Sequence, residues 1–378
     1  MRPVVDGAAW LTLLACASFS RMASADPIRL RGDAVASTQS PDSQSPSGLL
    51  ILQGSDKVRP NIEAEGLVWA GARPDATGDV LVLAVHLHTS KNYGEMRVGR
   101  FVMATGSMFP VQMDGVDGIA RTPWGSGVEA FGGVPVVPRF TARPYEWLAG
   151  TRLSQMIAAK ATLGMTYVER HDDGELARRE IGGDLAAVAG KWVDVGARGA
   201  YDLTSPGIAD ARISAATRYN AYRLEVFASD QSPGRLLPAT SLFSVLGDFP
   251  SQMLGGTLRW AAAPRLDLLA GGAAQDVAGA FGGNGWIRST LRLDDKGEGR
   301  IGLELRRVDV STSKWSGVRV IGSQPIAKSF RFSTELEVVV PDEPNGRGFI
   351  WPWGLMALSW RSHTGWEVAG AVEGDSSP

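Results

Sequence analysis

From about Asn61 to the C-terminus, apolar and polar residues alternate in segments of roughly 8 to 12 positions, the period of a strand with one apolar face. In Trp192 to Leu203 the odd positions Val193, Val195, Ala197, Gly199, Tyr201 and Leu203 are apolar or small, while Asp194, Arg198 and Asp202 hold even ones. Phe330, Phe332, Leu336, Val338 and Val340 alternate with Arg331, Ser333, Glu335 and Glu337 in the same way. Ile287, Leu291 and Leu293 alternate with Arg288, Thr290 and Arg292. Tyr222, Leu224 and Val226 alternate with Arg223 and Glu225. No helical period competes, so the pattern predicts an all-β chain.

Alternation alone does not separate a soluble sandwich from a transmembrane barrel. Segment length does, because a tilted strand needs about 9 to 11 residues to cross a bilayer, against about 5 or 6 in an ordinary strand. Aromatics gather at segment ends (Trp147, Trp192, Tyr201, Tyr219, Tyr222, Trp260, Trp353, Trp360 and Trp366), where a ring can lie at a membrane interface. The polar face carries full charges strand after strand, which a wet lumen tolerates and a dry core does not.

The joints point the same way. Arg361 to Gly365, Pro325 to Ser329, Asp294 to Gly299 and Ala261 to Arg265 read as short turns. Pro341 to Trp351, Gln275 to Asn284 and Asp230 to Gln252 read as longer loops between them, and only Ser311 to Trp315 breaks the order. Short turns at one end and long loops at the other describe an up-and-down transmembrane β-barrel.

Composition narrows the chemistry. The 378 residues include 46 Gly and 12 Trp but one Cys and four His, with a formal charge of −2 and both signs mixed along the chain. Nothing marks a nucleic-acid surface. Arg2, the apolar stretch Ala8 to Phe19, and Ala23, Ser24 and Ala25 read as an export leader, residues 1 to 25, cut before Asp26. Leu13, Leu14, Ala15 and Cys16 offer a second reading, a lipoprotein box acylated at Cys16. Cleaved at Ala25, the chain keeps no cysteine and no apolar run of about 18 residues, hence no disulfide framework and no membrane helix. Residues 26 to 60 read as an N-terminal arm or first strand pair with a flexible Ser- and Pro-rich loop at Ser37 to Ser47, and residues 61 to 378 as the barrel.

The leader, charged and aromatic strands such as "GEMRVGRF" and "GGTLRW", and the loop text "LPATSLFSVLGDFP" resemble Gram-negative outer-membrane porin-like barrels, of the uncharacterised type found in myxobacteria and their relatives. The resemblance implies the outer membrane as location and lipid as surroundings. It carries over no site residues; a channel for small hydrophilic solutes is expected from the charged polar face alone. Many such barrels end on an aromatic strand, whereas this chain ends "WEVAGAVEGDSSP". Together with the loop parity, that predicts a barrel one strand short at the C-terminus, while the chain length and the segment count predict about 16 to 20 strands.

The expected pore lining is Arg198, Arg212, Arg223, Glu225, Arg259, Asp267, Arg288, Arg292, Glu304, Arg331, Glu335 and Glu337, either as an arginine-biased, weakly anion-selective wall or as a self-paired one. In the Asp230 to Gln252 loop, Leu242, Phe243, Val245 and Leu246 read as a constriction or plug, or else as an extracellular cap. His86 and His88 share a strand face, as a metal pair or as wall residues; with no third ligand placed, the wall reading leads and no metal or cofactor is expected. His171 to Gly174, Asp294 to Glu298 and Asp114 to Gly118 read as turns rather than calcium loops. Neither G-x-S-x-G nor H-E-x-x-H occurs, and the glycine cluster at Gly282 to Gly285 lacks a phosphate-loop setting, so no enzyme is expected. A plugged barrel serving as a surface or partner-sheath protein is the alternative, and an exported soluble β-protein or lipoprotein the third.

Overall fold

In the computed structural model the described residues are 16–18, 29–37, 47–136, 146–232, 251–343, 349–362 and 367–375, apart from single positions at 60, 74, 90, 92, 109, 278 and 312. They form one antiparallel sheet of 22 strands. The first quarter holds β1 (Cys16–Ser18), β2 (Arg29–Ser37), β3 (Ser47–Arg59), β4 (Ile62–Arg73), β5 (Asp75–His88) and β6 (Gly94–Met103). Next come β7 (Val111–Arg121), β8 (Ser126–Pro135), β9 (Trp147–Ile157), β10 (Ala161–Asp172), β11 (Glu175–Ala189) and β12 (Val193–Asp202). Then follow β13 (Gly207–Tyr219), β14 (Tyr222–Gln231), β15 (Ser251–Ala263), β16 (Leu266–Val277) and β17 (Ala280–Arg292). The last are β18 (Arg300–Val310), β19 (Ser313–Ala327), β20 (Phe330–Pro341), β21 (Trp351–Arg361) and β22 (Glu367–Asp375).

From β2 to β22 every strand pairs with its sequence neighbours, an up-and-down order. Short β1 lies between β2 and β22, antiparallel to both, so the ladder returns on itself there. Strands β2 and β22 consequently run in the same direction.

The strand number exceeds the expected 16 to 20. Apart from β1, strands run from 9 to 15 residues, and several connections are one or two residues long, such as the single position between Arg73 and Asp75. Connections this short fit more strands into the same length of chain than loops of ordinary length would. The expected loop Gln275 to Asn284 is one of these. Strands β16 and β17 pair up to Val277 opposite Ala280, and Gly279 takes a φ of 84° that a side chain disfavours. Gly282 to Gly285 therefore lie in β17, and Asp114 to Gly118 lie inside β7 rather than in a turn.

Loop sorting holds with exceptions. Odd-to-even connections share one end of the sheet, and from β3 onward the widest of them, 293–299, was expected to be short. The other end carries 104–110, 136–146, 232–250 and 342–350, but also tight turns at 173–174, 278–279 and 311–312. His171 to Gly174 is a hairpin end as expected, with Asp173 at φ 51° and Gly174 at φ 83°. The stretches Ser37 to Ser47 and Asp230 to Gln252 fall mostly outside the described residues.

The 293–299 turn is built around Asp294, whose carboxylate accepts hydrogen bonds from the Glu298 amide at 3.0 Å and the Gly299 amide at 2.5 Å. The Gly299 amide, chiefly, holds this carboxyl below the usual aspartate range. A depressed folded value means that the contribution to turn stability is present above the ordinary aspartate range. It is lost as pH falls through the depressed value. In a carboxyl NMR titration Asp294 is expected to protonate below most other aspartates, and Asp294→Ala should speed tryptic cleavage at Lys296 at neutral pH. An ordinary titration and unchanged cleavage would remove the turn role.

Candidate functional site: a charge-paired inner wall and an inward loop

The register places all twelve expected lining residues on one face. Arg198 stands opposite Arg212, Arg212 opposite Ser229, and Arg223 opposite Arg259. Arg259 stands opposite Leu269, Leu269 opposite Arg288, Arg288 opposite Glu304, Glu304 opposite Arg319, and Arg319 opposite Glu337. Two-residue alternation carries Glu225, Asp267, Arg292, Glu335 and Arg331 onto that same face. The face continues through Asp184 and Arg152 back to Glu129, Asp117, Arg97 and His86.

Opposite charges on this face pair both along and across strands. Asp267 bridges Arg259 at 3.1 Å and Arg292 at 2.9 Å. Arg198 meets Asp210 at 3.1 Å, and Arg223 meets Glu225 at 3.8 Å. Glu304, 2% exposed, accepts from both Arg288 and Arg306, and Arg306 also reaches Glu337 at 3.3 Å. Arg319 pairs with Glu335. Arg331 instead donates to the Glu298 carbonyl at 2.9 Å and to Ser323 Oγ at 3.1 Å, while Arg212 lies over the Phe227 ring at 5.0 Å. Most charges named on this face are thus paired with one another, and two of the arginines, Arg212 and Arg331, are engaged by neutral groups.

The opposite face is apolar and uncovered. Leu83, Leu153, Met165, Ile213, Leu254, Ile287 and Met356, on seven strands from β5 to β21, are all more than half exposed. Single exposed apolar residues are ordinary, but a band of them around an entire sheet is not found facing water. Trp147, Trp192, Tyr219, Tyr222 and Trp260 are exposed near strand ends, with Tyr222 stacked on Trp260 at 5.7 Å and Trp192 against Tyr219 at 6.0 Å.

The segment Ala104 to Pro110, between β6 and β7, was not singled out by sequence. Its residues 105–108 fold onto the charged face. Thr105 Oγ1 donates to Glu129 Oε2 on β8 at 2.6 Å, and Thr105, Ser107 and Met108 are all buried. Gly106 takes a φ of 55°, and a Cβ there would lie 2.5 to 2.7 Å from Thr166 Oγ1 on β10, Asp184 Oδ1 on β11 and Arg152 Nε on β9. At Gly182, on β11, the missing Cβ makes room for Ser107. Measured along the sheet, β7 and β11 are four strand spacings or about 19 Å apart, whereas a seven-residue loop running out and back reaches only about 12 Å. The sheet must curve toward the loop, so the charged face is the inner one. Met108 joins Phe101, Met103, Met113, Phe131, Leu148, Val168 and Ala84 in a buried apolar patch on that wall.

No protein-family profile matches the chain, and no curated protein does. Among solved structures it is similar to the translocation pore of the P pilus usher PapC, at 8% identity and a TM-score of 0.44, covering 98% of this chain and 99% of that one. It is also similar to OccD3 of Pseudomonas aeruginosa, at 9% identity and a TM-score of 0.42, over 98% and 92% of the two chains. A third is Wzi of Escherichia coli, described as a carbohydrate-binding β-barrel, at 9% identity and a TM-score of 0.43, over 97% and 84%. No family is assigned by likenesses this distant. Nothing in them supports the myxobacterial type.

The ion pair beneath the loop spans a strand. Arg152 on β9 and Asp184 on β11 form two hydrogen bonds, Nη2 to Oδ2 at 2.7 Å and Nε to Oδ1 at 3.1 Å, across the intervening β10. Gly164 of β10 makes this possible, since a Cβ there would stand 2.3 Å from Asp184 Oδ1. Gly164→Ala is therefore expected to part the pair and lower the temperature at which the folded form is lost, by about 1–3 kcal/mol of stability. In an Asp184→Asn background the same substitution should cost much less. Equal costs in both backgrounds would show that Gly164 acts through the strand backbone instead. Leu242, Phe243, Val245 and Leu246, the expected plug residues, lie outside the described residues.

Proposed function

We propose that the chain spans the bacterial outer membrane as a porin-like β-barrel, passing small hydrophilic solutes through a charge-paired lumen that the 104–110 loop narrows. The observation that carries this reading is the opposition of the two faces. One carries ion pairs with a loop folded over part of it, the other an exposed apolar band, on strands long enough to cross a bilayer. An exported soluble β-protein or lipoprotein would not leave such a band bare. In this reading residues 1 to 25 are a leader removed on export, with lipid around the barrel and no nucleic acid as partner. Removal also takes β1 from between β2 and β22, two strands that run parallel, so the mature seam needs either parallel pairing or another antiparallel strand.

A plugged barrel has one observation in its favour: sheets of about 22 strands enclose lumens wide enough to be plugged in other barrels. Conductance separates the two. Protein from the outer-membrane fraction should migrate differently on a denaturing gel before and after boiling, and insert into planar bilayers with stepwise ion conductance. A folded, heat-modifiable protein without conductance would favour the plug. Recovery in the aqueous fraction would overturn both.

A further inference from the structure

His86 and His88 lie two apart on β5 and therefore on one face, the inner one, beside the short connection into β6. Across the ladder His88 stands directly opposite Glu95 of β6, and Glu63 of β4 opposite His86, which brings Glu65 to the adjoining position of the same face. The two rings are nearly parallel, 14° apart in plane with centroids at 6.2 Å. One donor atom from each of His86, His88 and Glu95 falls within 4.8 Å of the others, and all three side chains are partly buried.

The surrounding bonds sort these atoms into roles. His86 Nε2 lies 2.9 Å from Glu65 Oε1, and a neutral ring that donates to this carboxylate does so from Nε2. That leaves the Nδ1 lone pair on the side of Glu95, whose Oε1 is 4.0 Å away. Glu95 uses its other oxygen, Oε2, toward Arg121 at 3.5 Å. One free nitrogen and one free carboxylate oxygen thus converge, with the second imidazole completing the triangle. An imidazole held by a carboxylate through its far nitrogen is the usual outer arrangement of a metal-ligating histidine.

We propose that His86, His88 and Glu95 bind one divalent transition-metal ion of zinc's class, with Glu65 as the positioning residue for His86. Two imidazoles and one carboxylate form a borderline donor set that favours such ions over magnesium or calcium. Ligands at about 2.0–2.1 Å from a tetrahedral ion lie about 3.4 Å apart, so closing from the observed separations takes side-chain rotation of about an ångström and no backbone change. Three protein ligands leave a coordination position open toward the inner side, where water or a solute donor can bind.

The test uses the full chain in detergent, without a histidine tag and freed of metal by a chelator. Cobalt(II) is expected to bind at one equivalent with the visible absorption of a low-coordinate site, and zinc should remove that absorption while magnesium should not. His88→Gln and Glu95→Gln should each weaken cobalt binding at least about ten-fold, and Glu65→Gln should weaken it with the stoichiometry still at one. Gel migration before and after boiling reports whether the variants fold. Should His88→Gln fail to fold, zinc protection of the wild-type histidines from diethyl pyrocarbonate gives the same readout. Absence of cobalt absorption at one equivalent, or unchanged affinity in folded His88→Gln and Glu95→Gln, would overturn the site.

Discussion

Excising residues 105–108 is expected to raise the single-channel conductance by roughly two-fold or more, the largest functional effect of any small change in this chain. These residues fill the space in front of Glu129, Arg152, Thr166 and Asp184, which they otherwise bury. The excision removes no ladder hydrogen bond, because β6 ends at Met103 and β7 begins at Val111. It does uncover Phe101, Met103 and Met113, each no more than 1% exposed, so the bared inner wall becomes partly apolar. Loss of Met108 from that patch costs about 2–3 kcal/mol by itself, small against a sheet in which each strand from β2 to β22 pairs with its sequence neighbours. Conductance and the exclusion of large uncharged polymers should therefore change together, while heat-modifiable migration persists. Unchanged conductance from a folded variant would show that the loop stands clear of the permeation path and that the narrowing lies elsewhere.

Glu304→Gln is the substitution expected to disturb the wall most. Its carboxylate is 2% exposed and neutralises two guanidinium groups, whereas Arg288 and Arg306 keep 36% and 30% exposure. Arg306 retains Glu337 after the change, but Arg288 keeps only the Trp286 ring, 5.6 Å away, as a charge partner among its described contacts. A buried ion pair broken from one side costs ~3–5 kcal/mol, and the partial exposure of both arginines reduces this to about 2 kcal/mol. The unneutralised arginines should also shift the reversal potential in a salt gradient toward anions. Glu304→Gln with Arg288→Gln should recover most of the stability and return selectivity toward that of the wild type. A cation shift, or no loss of stability in the single variant, would mean that water, not Glu304, screens these arginines.

Much of the wall was legible because in a strand the side-chain period is two, independent of what the neighbouring strand does. Arg288 and Arg292, or Glu335 and Glu337, share a face by counting alone. Strand number was not legible, since connections as short as those at Arg73 to Asp75 and Val277 to Ala280 fit more strands into the same length of chain than ordinary loops would. Nor was the 104–110 loop. The signals that mattered, Gly106, Gly164 and Gly182, act through contacts with residues 46 to 78 positions away from Gly106.

The sequence by itself determined that this chain is all β, with one charged and one apolar face, because alternation needs only the local geometry of an extended backbone. The tertiary structure decided what those faces meet. Stagger between strands sets which arginine faces which carboxylate, curvature lets a short loop touch strands four places distant, and cross-strand register sets Glu95 beside His88. Each depends on hydrogen bonds between segments far apart in the chain, and so no reading along one strand contains it.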